Sequence, residues 1–309
     1  MKTLLVILAA LVLVPAASAA YPTPFAAQGV DAGLYNLDHS LRFVALKAAS
    51  GTRVQALRAS DGSVVASQPL QGDWGVPMLT YNGLVGGLFH DGSAFVLQSV
   101  GISTTTKFAI LSTRDLVVQD TISLDGYYGF DALSPDGSLL YLIQHTSTRD
   151  YQHYVVRAYD LRTNKLLPGR IADRTQRSWV MQGAAMTRTV SADGRWVYTL
   201  YANPGGTPFV HALDTVRGVA HCVGIPATQS EQNGLYNVVL TLHGQQLAVH
   251  WKSGRSWQNI DLRNWRVSPA GGGGFPWLWL GVGLGIAAAF LLLLRRVSLP
   301  KGTRLARAA

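Results

Sequence analysis

Cysteine is nearly missing: Cys222 stands alone in 309 residues, so no intramolecular disulfide can form and the fold must hold without one. Its thiol reads as a small, buried apolar group. Glutamate is equally scarce, with Glu231 the single example, so a glycosidase working through paired carboxylates would have to use aspartates or one mixed pair. Charged residues make up 14% of the chain against roughly 25% in an average soluble domain, which fits poorly with helices held by surface ion pairs. The chain has no Gly-x-Ser-x-Gly elbow, His-Glu-x-x-His, Cys-x-x-Cys, phosphate-binding Gly-x-x-x-x-Gly-Lys, acidic calcium loop or full Ser-x-Asp-x-Gly-x-Thr-Trp box. Neither His145 with His153 nor His243 with His250 has a dedicated metal-ligand spacing, so no metal and no other cofactor is expected. Catalytic residues are not expected either.

What is present is an ordinary supply of core. Hydrophobic residues are 48% and glycines number 32, which excludes disorder and points to many turns. The formal charge of +9 suggests nucleic acid until it is located. Lys2, Arg295, Arg296, Lys301, Arg304 and Arg307 lie at the two ends, leaving 20 basic against 17 acidic residues between them. That excess reports topology and not a nucleic-acid partner. Residues 1–20 combine Lys2, an apolar run over 4–14, Pro15 and Ala17-Ser18-Ala19, the pattern of a cleaved secretory signal. Residues 275–294 carry no charge and, at about 1.5 Å each, span the roughly 30 Å of a bilayer core. Trp277 and Trp279 stand at the leading end of this run and the Arg295-Arg296 pair follows it, so the reading is a single transmembrane helix with the bulk of the protein outside and residues 295–309 as a basic cytoplasmic tail. Residues 269–274 form a glycine-rich linker too flexible to fix orientation. Helix removal, as in C-terminal sorting signals, is an alternative. The excess of arginine over lysine, much alanine and the lack of Asn-x-Ser/Thr acceptors suit a bacterial source.

Self-comparison of residues 21–268 is the most informative step. Ser134-Pro135-Asp136-Gly137-Ser138-Leu139-Leu140-Tyr141-Leu142 is echoed by Ser191-Ala192-Asp193-Gly194-Arg195-Trp196-Val197-Tyr198-Thr199, with weaker copies at Asp38-His39, Asp91-Gly92 and His243-Gly244. The second turn positions fall at 39, 92, 137, 194 and 244. A second element, such as Val156-Arg157-Ala158-Tyr159-Asp160 or Val210-His211-Ala212-Leu213-Asp214, trails each copy at the same period of about fifty. Further turns at Ser60-Asp61-Gly62 and Arg162-Thr163-Asn164 precede an outer strand. Ahead of each Asp-Gly lies an inner run rich in small residues, for example Gly183-Ala184-Ala185 or Gly86-Gly87-Leu88. Each unit therefore reads as four antiparallel strands, and all but one of the acids being aspartate agrees with turn use. Four-stranded units at this period describe propeller blades, whose faces are covered by their neighbours. The expectation is an all-β β-propeller of about five blades.

The Ser-Pro-Asp-Gly-x-x-Leu-Tyr-Leu unit with a Tyr-Asp-ended strand resembles the YVTN/WD-like β-propeller repeat superfamily over roughly residues 30–268. The resemblance implies the fold and leaves the function open, because such propellers host enzymes and binding platforms alike. No Trp-Asp dipeptide ends a blade, and the first and last copies lose part of Asp-Gly. One constellation stands out, in the loops leading into each inner strand. Asp73-Trp74, Tyr127-Tyr128, Arg177 with Trp179, and Tyr236 share an aromatic phase and could ring the axial opening as a ligand-binding set, or else wedge between blades as packing. The functional expectation is an extracytoplasmic, membrane-anchored, non-enzymatic binding or scaffolding module for an envelope protein, peptide or glycan. The alternatives are a hydrolase or lyase with an Asp/His site on the axial face, and an envelope sensor.

Overall fold

The computed structural model describes residues 26–149, 153–173, 175 and 180–270. The expected signal, the apolar run at 275–294, the basic tail and most of the linker lie outside the described residues. No helix among the described residues is long and apolar enough to cross a membrane.

The described chain builds five antiparallel sheets. Sheet I holds Leu34–Tyr35, Leu41–Ala48, Gly51–Arg58 and Val64–Leu70. Sheet II holds Trp74–Pro77, Ala94–Ser99, Thr105–Ser112 and Val118–Asp125, with Ala26–Ala27 added beside Trp74–Pro77. Sheet III holds Tyr128–Leu133, Leu139–His145, His153–Asp160 and Lys165–Leu166, with Met181–Gln182 on the other end of His153–Asp160. Sheet IV holds Ala184–Val190, Trp196–Ala202, Phe209–Asp214 and Val219–Gly224, and sheet V holds Val238–His243, Gln246–Trp251, Ser256–Asp261 and Arg266–Pro269. Within each sheet the four main strands follow chain order, the first termed inner and the last outer.

Turn chemistry sets this spacing. The turn positions at 39, 92, 137, 194 and 244 all take left-handed φ values, between 56° and 72°. Four are glycine, for which that conformation carries no Cβ penalty. In the central copy the Asp136 carboxylate accepts from the Ser138 amide at 3.1 Å, the Ser138 hydroxyl at 2.8 Å and the Ser134 hydroxyl at 2.7 Å. A second left-handed column occupies the outer hairpins at Gly62, Leu116, Asn164, Gly218 and Trp265. Its spacings are 54, 48, 54 and 47, so both hairpins of every unit keep one period. The two bulky members use their side chains in packing. Leu116 is fully buried between sheets I and II, and Trp265 stacks on His221 at 4.5 Å.

The central strands read as near-continuous apolar runs because alternate residues serve opposite interfaces. Phe95 and Leu97 face sheet I, whereas Ala94 and Val96 on the same strand face sheet III. Leu140 and Leu142 face sheet II, and Tyr141 and Ile143 face sheet IV. Val197 and Tyr201 face sheet III, and Tyr198 and Leu200 face sheet V. Four interfaces thus join sheets I to V in chain order. Phe43 and Phe95, stacked with ring centroids 4.7 Å apart, centre the first of them. Truncating either ring to alanine would cost about 3–5 kcal/mol. No hydrophobic cluster spans sheets V and I among the described residues, and the far faces of these two sheets carry polar groups such as Gln55 and His250.

Three local features add to the sequence expectation. The inner strand of sheet II is split: Trp74 and Gly75 pair with Ser99 and Gln98, Leu88 pairs with Phe95, and Gly87 O accepts from the Val96 amide at 2.9 Å, while the segment between the two halves makes an excursion in which the Tyr81 amide donates to Ala185 O of sheet IV at 2.7 Å. Ala26–Ala27 pairs with Val76 and Pro77, and a Cβ on Gly75 would meet Ala27 O at 2.7 Å, so only glycine permits this approach. The loop before sheet V contains a short helix, Gln229–Asn233. Its N-terminus is closed by Thr228 and Glu231 in a reciprocal capping box, which gives the single glutamate a structural role.

Candidate functional site

The aromatic crossover loops are built by a repeated clamp. Thr52 Oγ1 accepts from the Trp74 amide and donates to Gly72 O, both at 2.8 Å. Fifty-four residues later Thr106 Oγ1 accepts from the Tyr128 amide and donates to Gly126 O, both at 2.9 Å. Each clamp turns the chain from one sheet into the next, and the glycine is required because its φ is +91° at Gly72 and +119° at Gly126. The ring then folds back over that glycine, within 3.0 Å of where a Cβ of Gly126 would sit.

This geometry places the sequence-predicted ligand set. Trp74 is 6% exposed in the sheet I/II interface, with its indole N–H donating to Gln71 O at 2.6 Å. Tyr128 is 2% exposed in the II/III interface, and Tyr127 is buried against His145 with ring centroids 4.6 Å apart. The rings at these three positions are buried in packing. Asp73 and Tyr236 are exposed. Arg177 and Trp179 lie outside the described residues.

A cavity of about 390 Å³ opens at the other end of the inner strands, beside the Asp-Gly turns. In sheet III, Tyr128 starts the inner strand whereas Asp131, Leu133 and Ser134 at its far end line the cavity. Sheets I, II and IV contribute Leu34, Leu88 and Val197 to the apolar wall, and the excursion contributes Leu79. Its polar members include an ion pair between Arg188 of sheet IV and Asp131 of sheet III, whose side chains are 4% and 2% exposed. The Arg188 guanidinium donates to both the carboxylate and the backbone oxygen of Asp131, and its Nε donates to Thr199 Oγ1 at 2.9 Å. A buried, hydrogen-bonded pair of this kind fixes two sheets relative to each other and is costly to break from one side. His90 also lines the cavity, but among the described residues no hydrogen bond joins it to Asp131.

A second polar group sits inside the III/IV interface. His211 is 2% exposed, and burial pushes its pKa down to about 4, so the imidazole is neutral. Its Nδ1 lies 3.5 Å from Cys222 Sγ. Burial, with the Asp173 charge added, pushes the Cys222 thiol up to about 12, so the pair holds a protonated thiol against a neutral ring. This is the inert state of a Cys–His pair, because nucleophilic attack needs the thiolate. Asp173 Oδ2 accepts from the Cys222 amide at 2.8 Å. The His250 ring is hydrogen-bonded to Thr241 Oγ1 at 2.7 Å, and among the described residues no three His, Cys, Asp or Glu side chains converge as metal ligands. In the sequence His211 is a plain polar strand position. It stands opposite Cys222 on the adjacent strand, a relation that spacing alone does not display.

Five sheets of four main antiparallel strands stacked in chain order resemble the blades of a β-propeller, and the solved structures that align with this chain include propellers. They include the β-propeller domain of Cps50 (Swd1) from Myceliophteria thermophila, with 10% identity, TM-score 0.44, and 74% of this chain and 64% of that one covered. The Dos1 propeller aligns with 9% identity and TM-score 0.44, covering 74% of this chain and 54% of that one. TolB from Acinetobacter baumannii aligns with 13% identity and TM-score 0.42, covering 72% and 52%. The chain thus spans between about half and two thirds of these structures. The likeness concerns fold alone. No protein-family profile matches the chain, and no curated protein matches it.

Proposed function

We propose that the chain is a membrane-anchored, extracytoplasmic β-propeller that closes its five sheets into a ring and acts as a non-enzymatic binding or scaffolding module at the cell envelope. The observation that carries this reading is the cavity beside the Asp-Gly turns, whose walls are apolar and whose buried charges, Asp131 and Arg188, are committed to each other. Such walls hold and orient a guest, whereas chemistry needs an unengaged acid, base or nucleophile within reach of it. Neither Cys222 nor His211 is among the residues that line the cavity. The anchoring part of the proposal rests on the uncharged run 275–294, the arginine pair after it and the signal-like residues 1–20.

The test is made on the full chain expressed in a bacterium with a C-terminal tag. Protease added to intact spheroplasts should digest the repeat region and leave a small tagged fragment in the membrane, and mild solubilisation should recover the chain with an envelope component bound. Protection of the repeat region from external protease, or turnover of ester, amide or glycoside substrates by the purified chain, would overturn the reading.

A further inference from the structure

We infer that the cavity beside the Asp-Gly turns is a binding site for an uncharged, mainly apolar small molecule that presents one acceptor oxygen to Arg188. The inference deepens the binding-module reading and rests on it. Four observations converge. The volume of about 390 Å³ lies inside the roughly 300–1,000 Å³ typical of small-molecule sites. Leu34, Leu88, Phe130 and Val197 from four different sheets line it, and the excursion that carries Leu79 and Leu84 completes the wall. Two large apolar side chains at its rim, Leu84 and Val190, remain 44% and 48% exposed, and a guest of this character would cover them. The charges in the wall cancel, because Arg188 and Asp131 are paired and almost wholly buried.

That cancellation selects the ligand class. A carboxylate or ammonium entering the cavity would lose its hydration and meet no free counter-charge, which should weaken its binding by far more than tenfold in a low-dielectric site. A neutral carbonyl or ether oxygen carries no such penalty. A guanidinium has five N–H donors, and three of those on Arg188 go to Asp131 and Thr199, leaving two for an acceptor. The recognition expected is therefore dispersion and hydrophobic contact over most of the guest, with one charge-assisted hydrogen bond setting its orientation.

The test uses the full chain in lipid nanodiscs and a neutral diazirine photoprobe with one aryl ketone, alongside a carboxylate and an ammonium analogue of the same skeleton. After irradiation, mass spectrometry should place saturable labelling by the neutral probe within residues 79–88, 130–135 and 188–197. The charged analogues should label these segments at least tenfold less. Val190→Trp and Leu84→Trp fill the rim from exposed positions, so the fold is kept, as circular dichroism would verify, and each should lower cavity labelling about tenfold. Unsaturable or scattered labelling, labelling unchanged by both variants, or equal labelling by the carboxylate analogue would overturn the inference. An envelope partner that co-purifies equally with wild type and Val190→Trp would remove the cavity from that contact while leaving the module reading in place. Saturable cavity labelling with no envelope partner would support the cavity and count against the scaffold.

Discussion

Acidification should destabilise the protein in two separable stages, and the first belongs to His211. Burial holds its pKa at about 4 in the folded chain, against 6.5 for a free histidine. The unfolded chain therefore takes up this proton first. The stability that neutral His211 contributes is complete above pH 6.5 and is lost as pH falls toward 4. A tenfold difference in proton affinity between the folded and unfolded chains is worth about 1.4 kcal/mol, so the whole window amounts to about 3 kcal/mol, of which about 2 kcal/mol is gone by pH 5. The carboxylates of the repeat turns act later. Hydrogen bonds from Ser134 and Ser138 hold Asp136 down to about 2, so its contribution is present above the free value of 3.8 and disappears only below it. The assay is urea unfolding followed by tryptophan fluorescence at pH 7 and pH 5, for wild type and His211→Gln. Glutamine is polar, of comparable size and does not titrate, so every other histidine cancels in the comparison. The variant should be less stable at pH 7 yet lose about 2 kcal/mol less than wild type on moving to pH 5. Equal losses in the two proteins would refute the assignment of a buried, neutral imidazole.

Three other outcomes follow from the geometry. Thr106→Val keeps the shape but leaves the buried Tyr128 amide and Gly126 O without their partner, which should cost about 2–4 kcal/mol in urea unfolding; a loss below about 0.5 kcal/mol would mean the clamp is replaceable. Arg188→Met strands the Asp131 carboxylate in the interior and should destabilise by about 3–5 kcal/mol, whereas Arg188→Met combined with Asp131→Leu should recover a large part of that loss in a double-mutant cycle. Cys222 should react with iodoacetamide at pH 8 about a hundredfold more slowly in the folded chain than in urea, because its thiolate is suppressed; equal rates would contradict the raised thiol pKa.

The repeat was legible in the sequence because its turns are written in residues with a physical reason to be there. Aspartate followed by glycine encodes a left-handed turn stabilised by its own carboxylate, and the positions at 92, 137 and 194 could be found on that basis alone. The outer hairpins were harder. Leu116 and Trp265 occupy the same left-handed conformation as Gly62 and Gly218, but a leucine or tryptophan carries no turn signal, and interface packing is what holds it there. The aromatic crossover loops illustrate a different limit. Their common phase was visible, but the threonines that organise them stand 22 residues upstream, at Thr52 and Thr106, and look like ordinary strand residues. A shared phase can come from a shared packing requirement as readily as from a shared ligand. The cavity could not be foreseen at all, because its walls come from four sheets and its ion pair joins residues 57 apart. The small residues at 86 and 87 do mark inner-strand backbone, with Leu88 opposite Phe95, but nothing in their spacing shows that the strand begins at Trp74, opposite Ser99, and is interrupted by an excursion.

The most direct measurement is a crystal structure of the repeat-bearing chain soaked with a neutral bromoaryl ketone, read by the anomalous signal of bromine. The account predicts one dominant peak enclosed by Leu34, Leu79, Phe130 and Val190, with the ketone oxygen toward Arg188. A dominant peak at the aromatic crossover loops, or an empty cavity at saturating ligand, would contradict it.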